Sequence, residues 1–322
     1  MSFIYITRAV PEATTAFLAE ALPDARVEVN PEDRNLNRAE LIQQASGCDA
    51  LICTLADSLD ASLIEDLGPQ LKVIAIYAVG YNNIDLEAAK NRGIAVCNTP
   101  DVLTDATAEI AVGLALACAR RFIEGDALTR QGRFNGWAPM FHRGQGVYGK
   151  TVGVVGAGRI GKRFAATMKH GFGCPILYHS RTDHVDWEND LDAKLVDLGE
   201  LLERSDFVSL HCPLTPDTRH LIDAEMLKRM KATAVLINTA RGPVVDETAL
   251  VQTLREKRIA AAGLDVFENE PALAPGLSEL DNVVLLPHVG SATFEVRDEM
   301  GRMCARAVTA VLTGKEPKHR VV

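Results

Sequence analysis

The chain has 322 residues, 47% of them hydrophobic, and its 34 Lys and Arg against 43 Asp and Glu leave a formal net charge of −9. That length and apolar content suit a large core divided over two domains. The acidic balance, unrelieved by any basic block, argues against nucleic acid and anionic membrane as partners.

Phe3-Ile-Tyr-Ile6, followed by Arg8 and Pro11, reads as a first strand, since a signal peptide needs a basic start and a long apolar stretch. Further strands are expected at Arg26–Val29, Ala50–Thr54, Val73–Tyr77 and Ile94–Cys97, with helices in the gaps. That rhythm predicts a doubly wound parallel sheet. Asp101–Glu124 then reads as one long alanine-rich helix leading to a second sheet. Its most apolar part, Ala106–Ala119, contains Glu109 and is too short to span a bilayer. Seven scattered cysteines with no CxxC pair point to a reducing, cytoplasmic setting. His211 and Cys212 are adjacent, but no second pair stands at ligand spacing, so no metal is expected.

Residues 152–181 carry the strongest local signal. Val152-Gly-Val-Val155 predicts a buried strand, and Gly156-Ala-Gly-Arg-Ile-Gly161 a glycine turn opening a helix. Gly156 permits the tight turn, Gly158 lets backbone N–H groups approach a pyrophosphate, and Gly161 allows close helix packing. The helix start at Arg159 and Ile160 offers backbone amides and a positive dipole end to phosphate. Ile160, Phe164, Ala165 and Met168 share one helical face, and Gly171 and Gly173 are expected to end the helix. An NAD site places Asp or Glu near the end of the next strand. Here the sequence is His179-Ser-Arg-Thr182. The Arg181 guanidinium and the Ser180 and Thr182 hydroxyls suit a ribose 2′-phosphate. NADP(H) is therefore expected over NAD(H), with NAD(H) still possible.

Later strands are expected at Phe207–His211, Ala234–Asn238, Ala261–Val266 and Val283–Leu286, and a last helix over Thr293–Leu312. Ligands of open α/β sheets sit beyond the carboxyl ends of strands. Three residues there can do chemistry. Arg241, in a turn with Gly242 and Pro243, can grip a carboxylate in two-pronged fashion. Glu270 and His288 follow the next two strand ends. A carboxylate beside an imidazole favours the imidazolium and so readies a proton for donation. The other seven histidines read as structural.

These residues belong to a set of motifs spread over the whole chain. They include Val79-Gly-Tyr-Asn-Asn-Ile-Asp85, Asn98-Thr-Pro-Asp-Val-Leu-Thr-Asp-Ala-Thr-Ala-Glu109, Val155-Gly-Ala-Gly-Arg-Ile-Gly161, His211-Cys-Pro-Leu-Thr215, Asn238-Thr-Ala-Arg-Gly242, Gly263-Leu-Asp-Val266 and His288-Val-Gly-Ser-Ala-Thr293. The chain thereby resembles the D-isomer-specific 2-hydroxyacid dehydrogenases, nearest to their glyoxylate/hydroxypyruvate reductases. The resemblance implies two Rossmann-like doubly wound parallel-sheet domains, the first flavodoxin-like and discontinuous (1–98 plus 289–322, substrate-binding). The second, 99–288, is a dinucleotide-binding Rossmann domain, and the active site falls in the cleft between them.

By position, the resemblance makes Arg241, Glu270 and His288 the substrate-binding arginine, its glutamate partner and the acid/base histidine. Val79 and Gly80 would present amides to the substrate carboxylate, with Leu55 shaping the pocket. Thr107, Cys212, Pro213, Thr239, Ala240 and Asp265 would line the cofactor, Asp265 receiving the nicotinamide carboxamide. The implied reaction is hydride transfer to small 2-keto acids by a homodimer. Trp137 would lie on a dimer arm that reaches the partner's pocket, a buried core tryptophan being the alternative. Phosphoglycerate dehydrogenase, a 2-ketogluconate reductase and a dinucleotide-sensing corepressor are the rival functions.

Overall fold

The computed structural model describes all 322 residues. They form two compact units, Met1–Leu103 with Ser291–Val322, and Thr104–Gly290. The first begins with β1 (Phe3–Ile6), α1 (Glu12–Ala21), β2 (Arg26–Val29), α2 (Arg38–Ala45), β3 (Ala50–Cys53), α3 (Ala61–Asp66), β4 (Val73–Ile76), α4 (Leu86–Asn91) and β5 (Ala95–Cys97). The strands are parallel, in the order β2-β1-β3-β4-β5. This is the flavodoxin-like order. β1, β3 and β4 are buried at every residue, as strands covered on both faces must be, whereas the edge strand β2 is partly exposed throughout.

The second unit holds α5 (Thr104–Arg120), α6 (Phe122–Arg130), β6 (Val152–Val155), α7 (Arg159–Phe172), β7 (Ile176–His179), α8 (Val185–Leu191), β8 (Lys194–Leu195), α9 (Leu198–Arg204), β9 (Phe207–Leu210), α10 (Ala224–Arg229), β10 (Val235–Asn238), α11 (Glu247–Arg255), β11 (Ala261–Leu264) and β12 (Val283–Leu285). Its seven parallel strands run β12-β11-β10-β9-β6-β7-β8. From β6 the chain first moves to β7 and β8, then returns past β6 to β9, so the order reverses at β6. One face is packed by Leu114 and Cys118 of α5, Phe164 and Met168 of α7 and Trp187 of α8. The other is packed by Leu201 of α9, Leu227 of α10 and Leu250 and Leu254 of α11.

Three local expectations change. The helix expected over Asp101–Glu124 is two helices, because the Gln145 N–H takes the Ala119 carbonyl at 2.7 Å and Arg121 turns left-handed at φ 55°. α7 continues through Gly171 and stops at Gly173, whose left-handed φ of 62° ends the helix with its amide on the Lys169 carbonyl. The two-residue β8, exposed and without periodicity, left no trace in the sequence pattern.

The chain then returns to the first unit as α12 (Phe294–Leu312), which packs on α1 and β4. Beyond it, Val321 donates to the Val96 carbonyl at 2.7 Å, and Val96 to that of Val322 at 3.1 Å, so the last residues extend the sheet beyond β5. Helix starts are set locally: Asn37, Asp60, Asp85, Asp197, Asp223, Asp246 and Thr293 each cap a helix through the side chain. Each such cap is worth about 1 kcal/mol. No helix is long and apolar enough to cross a membrane.

The α1–α12 contact is close because position 301 lacks a side chain. A Cβ on Gly301 would run into Thr14 Oγ1, a buried hydroxyl with no hydrogen-bond partner. Gly301→Ala should therefore lower stability by about 1–3 kcal/mol in denaturant titrations, and adding Thr14→Ala should restore most of it. Additive losses in the double variant would contradict the contact.

Candidate active site

Register concentrates the candidate residues of the second unit at one end of its sheet. Val155, Leu210, Asn238, Leu264 and Leu285 lie side by side across β6, β9, β10, β11 and β12, with His179 of β7 beside Val155. The segments carrying Gly156, Ser180, Cys212, Thr239, Asp265 and His288 therefore all leave the sheet at its carboxyl edge. Leu55, Val79 and Gly80 belong to the first unit, where Cys53 of β3 and Ile76 of β4 are register partners just before them.

At the β6 turn, Gly156 has φ +101°, and a Cβ there would lie 2.6 Å from the Cys212 nitrogen. A Cβ on Gly161 would lie 2.5 Å from the Gly156 carbonyl oxygen. Gly158 differs, since its Cβ would meet nothing within 4 Å. It stands at the N-cap of α7 and offers no side-chain cap, so the helix start presents its backbone and dipole to that open space. Ile160 is half-buried and turns its side chain into the core, which leaves only its backbone for a cofactor. At the end of β10 the Thr239 hydroxyl is buried without a partner. Open space at Gly158, uncapped amides and an orphaned hydroxyl are what a bound dinucleotide would fill, so the residues present fit that group.

Past β7, Ser180 is half-buried while Arg181 and Thr182 are exposed. Their turn is tied down by Tyr178, whose hydroxyl donates to Asp183 Oδ1 at 2.9 Å and accepts from the His184 N–H at 3.1 Å. His211 is half-buried with its ring against Phe164, 2.9 Å from Ser209 Oγ, and desolvation of the imidazole pushes it down to about 3, so it stays neutral. The neighbouring Cys212 thiol is pushed up to about 11 by burial. Pro213 gives its carbonyl to Thr218 Oγ1 at 2.7 Å.

Arg241 leaves β10 in a turn built by Asn238, which accepts the Ala240 N–H at 3.0 Å and donates to the Arg241 carbonyl at 3.0 Å. Arg241 Nη1 donates to the Ala240 carbonyl at 2.6 Å. Burial lowers the Arg241 guanidinium from its ordinary value, and the charge of Glu270 opposes that shift. Glu270 accepts the Phe267 N–H at 3.0 Å with one oxygen and meets His288 Nδ1 at 2.9 Å with the other. Burial alone would raise the Glu270 carboxyl; His288, the Phe267 amide and Arg241 together hold it below the ordinary glutamate value.

Two expected cofactor contacts have another occupation. Asp265 is 1% exposed, and its oxygens accept the Val289 N–H at 2.7 Å and the Gly290 N–H at 2.8 Å. It anchors the residues after His288, whose own φ is 54°. Thr107 also serves that loop, donating its hydroxyl to the Gly290 carbonyl at 3.1 Å. Sequence reasoning missed the acidic group behind Glu270. Glu268 meets His220 Nε2 at 2.7 Å and Arg219 at 3.3 Å, and its amide donates to Glu247 at 2.7 Å. Glu247 shows in the sequence only as an ordinary first-turn helix glutamate. Trp137 is 84% exposed, which removes the buried-core alternative.

Residues 112–290 match the family model described as "D-isomer specific 2-hydroxyacid dehydrogenase, NAD binding domain". A glyoxylate reductase of Thermococcus gammatolerans is 48% identical over 318 residues, covering 98% of this chain and 94% of that protein. A solved protein of Thermus thermophilus superposes with a TM-score of 0.93 at 42% identity, over 99% of this chain and 100% of that one. An NADPH-dependent glyoxylate/hydroxypyruvate reductase of Sinorhizobium meliloti, solved with NADP and malonate, gives 0.86 at 33% identity over 100% and 97%. With a family model spanning more than half its length and near full-length relatives of this identity, the chain belongs to the D-isomer specific 2-hydroxyacid dehydrogenase family.

Proposed function

We propose that this chain is a nicotinamide-dependent reductase of small 2-keto acids, taking glyoxylate to glycolate and hydroxypyruvate to D-glycerate. The observation that carries the reading is the 2.9 Å pairing of His288 Nδ1 with Glu270, with the positive charge of Arg241 acting on the same carboxylate. The similarity to reductases of these two substrates supports it.

A ring held through Nδ1 turns Nε2 to the substrate, and the Glu270 carboxylate favours the protonated imidazole. His288 then protonates the keto oxygen as negative charge develops there. The bound reduced nicotinamide supplies the hydride to the keto carbon. Arg241 grips the substrate carboxylate and so orients the keto group; for Leu55, Val79 and Gly80 of the first unit the family resemblance supports a substrate-binding role. Gly156, Gly158, Arg159, Ile160 and Gly161 hold the pyrophosphate through backbone, and Thr107, Cys212, Pro213, Thr239 and Ala240 border the nicotinamide half. Asp265 acts by keeping the His288 loop in place.

Arg181, Ser180 and Thr182, with His179 where an acid would accept a ribose hydroxyl, support preference for NADP(H), NAD(H) remaining usable. The exposed Trp137 and a helix α6 with no buried residue support a homodimer in which this arm covers the second copy.

Initial rates with NADPH and NADH against glyoxylate, hydroxypyruvate, pyruvate and 2-ketogluconate test substrate and cofactor together; turnover of the first two, faster with NADPH, is expected. Arg181→Ala should raise KM for NADPH by roughly 10- to 100-fold, the worth of a charge-assisted hydrogen bond, and leave that for NADH nearly unchanged. A wild type that prefers NADH refutes the cofactor assignment. His288→Ala should cut kcat on the order of 10²–10⁴-fold. Glu270→Gln removes the charge that favours the proton on the ring, so the alkaline fall-off of the reductase rate should move to lower pH. An unmoved profile counts against the pairing as the source of the proton.

A further inference from the structure

Behind the acid/base pair lies a carboxyl group that the reaction scheme does not use. Glu247 is the first residue of α11, capped by Asp246 through the Ala249 N–H at 3.0 Å, and only 3% of it is exposed. Its Oε1 accepts the Glu268 N–H at 2.7 Å, and its Oε2 is buried with no hydrogen bond. A buried acid is costly, and what answers this one is backbone: the Ala274 amide acts on the carboxyl, and the Glu268 amide donates to it at 2.7 Å.

That amide is well placed to matter. It follows Phe267, whose own N–H donates to Glu270 Oε1 at 3.0 Å, leaving Glu270 Oε2 for His288 Nδ1 at 2.9 Å. The segment has little other freedom. A Cβ on Gly242 would overlap the Phe267 carbonyl, so the Arg241 turn presses against it from one side. The Glu268 carboxylate is held by His220 at 2.7 Å and Arg219 at 3.3 Å, and His220 donates its own amide to the Pro243 carbonyl at 2.8 Å. Glu247 thus grips the backbone at the point where the Arg241 turn and the Glu270 loop meet.

We infer that Glu247 is a positioning residue for the acid/base pair: by holding the Glu268 amide it sets the loop so that the Glu270 carboxylate meets Nδ1 of His288. It works as an acceptor and not as a charge. Burial, together with Glu268 and Glu270, raises its carboxyl above the ordinary value against the pull of the Glu268 and Ala274 amides, and what the loop takes from it is the Oε1 acceptor at 2.7 Å. The inference rests on the reductase reading for its kinetic consequence, but the contact itself does not.

Two substitutions separate acceptor from charge. Glu247→Met keeps length and removes the acceptor, whereas Glu247→Gln keeps an acceptor oxygen and removes the charge. In the protein without cofactor, amide hydrogen exchange of Phe267 and Glu268 should be fast in the Met variant and protected in the Gln variant and wild type. With NADPH and glyoxylate, the Met variant should lose kcat on the order of 10-fold through misplacement, with the alkaline limb of its pH profile moved as in Glu270→Gln and KM for NADPH unchanged. Glu247→Gln should match wild type in both. In a Glu270→Gln background, Glu247→Met should cost little more, because the group it positions is gone.

Protected amides in the Met variant, a Gln variant as impaired as the Met variant, or fully additive losses would each overturn the inference. If Glu247→Met does not fold, the Gln variant decides alone: a wild-type pH profile with both amides protected supports the role, and a shifted profile overturns it. Absence of turnover in wild type with any 2-keto acid would instead sink the reductase reading, while the exchange data still report on the contact.

Discussion

The site depends on one buried carboxylate and the two amides it holds. Asp265, at the end of β11, receives the N–H groups of Val289 and Gly290, and so joins the end of one strand to the segment that follows the next. Burial pushes this carboxyl up, and the two amides and the charge of His288 pull it back. Without those donors a carboxylate 1% exposed would be costly, and without the carboxylate two amides would lose their acceptor, so each half stabilises the other. The consequence falls on His288. Its φ of 54° lies in the left-handed region, which a non-glycine residue occupies at a cost and keeps only where its surroundings require it.

Three more carboxyl groups are linked through the loop that carries Glu270, and the structure gives each different partners. Glu270 sits below its ordinary value because His288, the Phe267 amide and Arg241 overcome burial, so it remains an anion at neutral pH and loses that charge only on strong acidification. The sign matters: a depressed carboxyl contributes its pairing above its unfolded value and loses it as pH falls. Burial, with Glu268 and Glu270 nearby, moves Glu247 the opposite way. Glu268 keeps its own partners, Arg219 and His220. Acids that would otherwise repel one another are thus sorted by what each can reach, and the one held as an anion is the one that touches His288.

Most of the scaffold was legible because it is local. Unbroken apolar runs such as Ala50–Cys53 and Val73–Ile76 are buried strands. The strand-end positions of Arg241, Glu270 and His288 could be read in the same way, because a parallel sheet collects its carboxyl ends on one edge. What was hidden is long-range. The break at Arg121 comes from a carbonyl taken by Gln145, and no local residue announces it. The resemblance alone gave Asp265 a place at the cofactor, and its engagement with Val289 and Gly290 is a contact across the fold that no local pattern announces. Glu247 carries the pattern of any first-turn acid, and only packing shows that it faces inward.

The glycines make the same separation between frame and site. Gly156, Gly161 and Gly242 are required by protein atoms, since a side chain at any of them would strike the backbone of a neighbouring turn. Gly158 is required by nothing in the protein: its backbone is extended at φ −82°, and the space beside it is open. An alanine there would gain in conformational entropy over glycine, so glycine at 158 stabilises nothing in the folded chain taken by itself. Its place is understood only if something approaches the start of α7 more closely than a methyl group would allow. The row of strand ends supplies the position, the uncapped helix supplies the donors, and the unpartnered hydroxyl of Thr239 at the end of β10 marks a second polar contact waiting along the same edge.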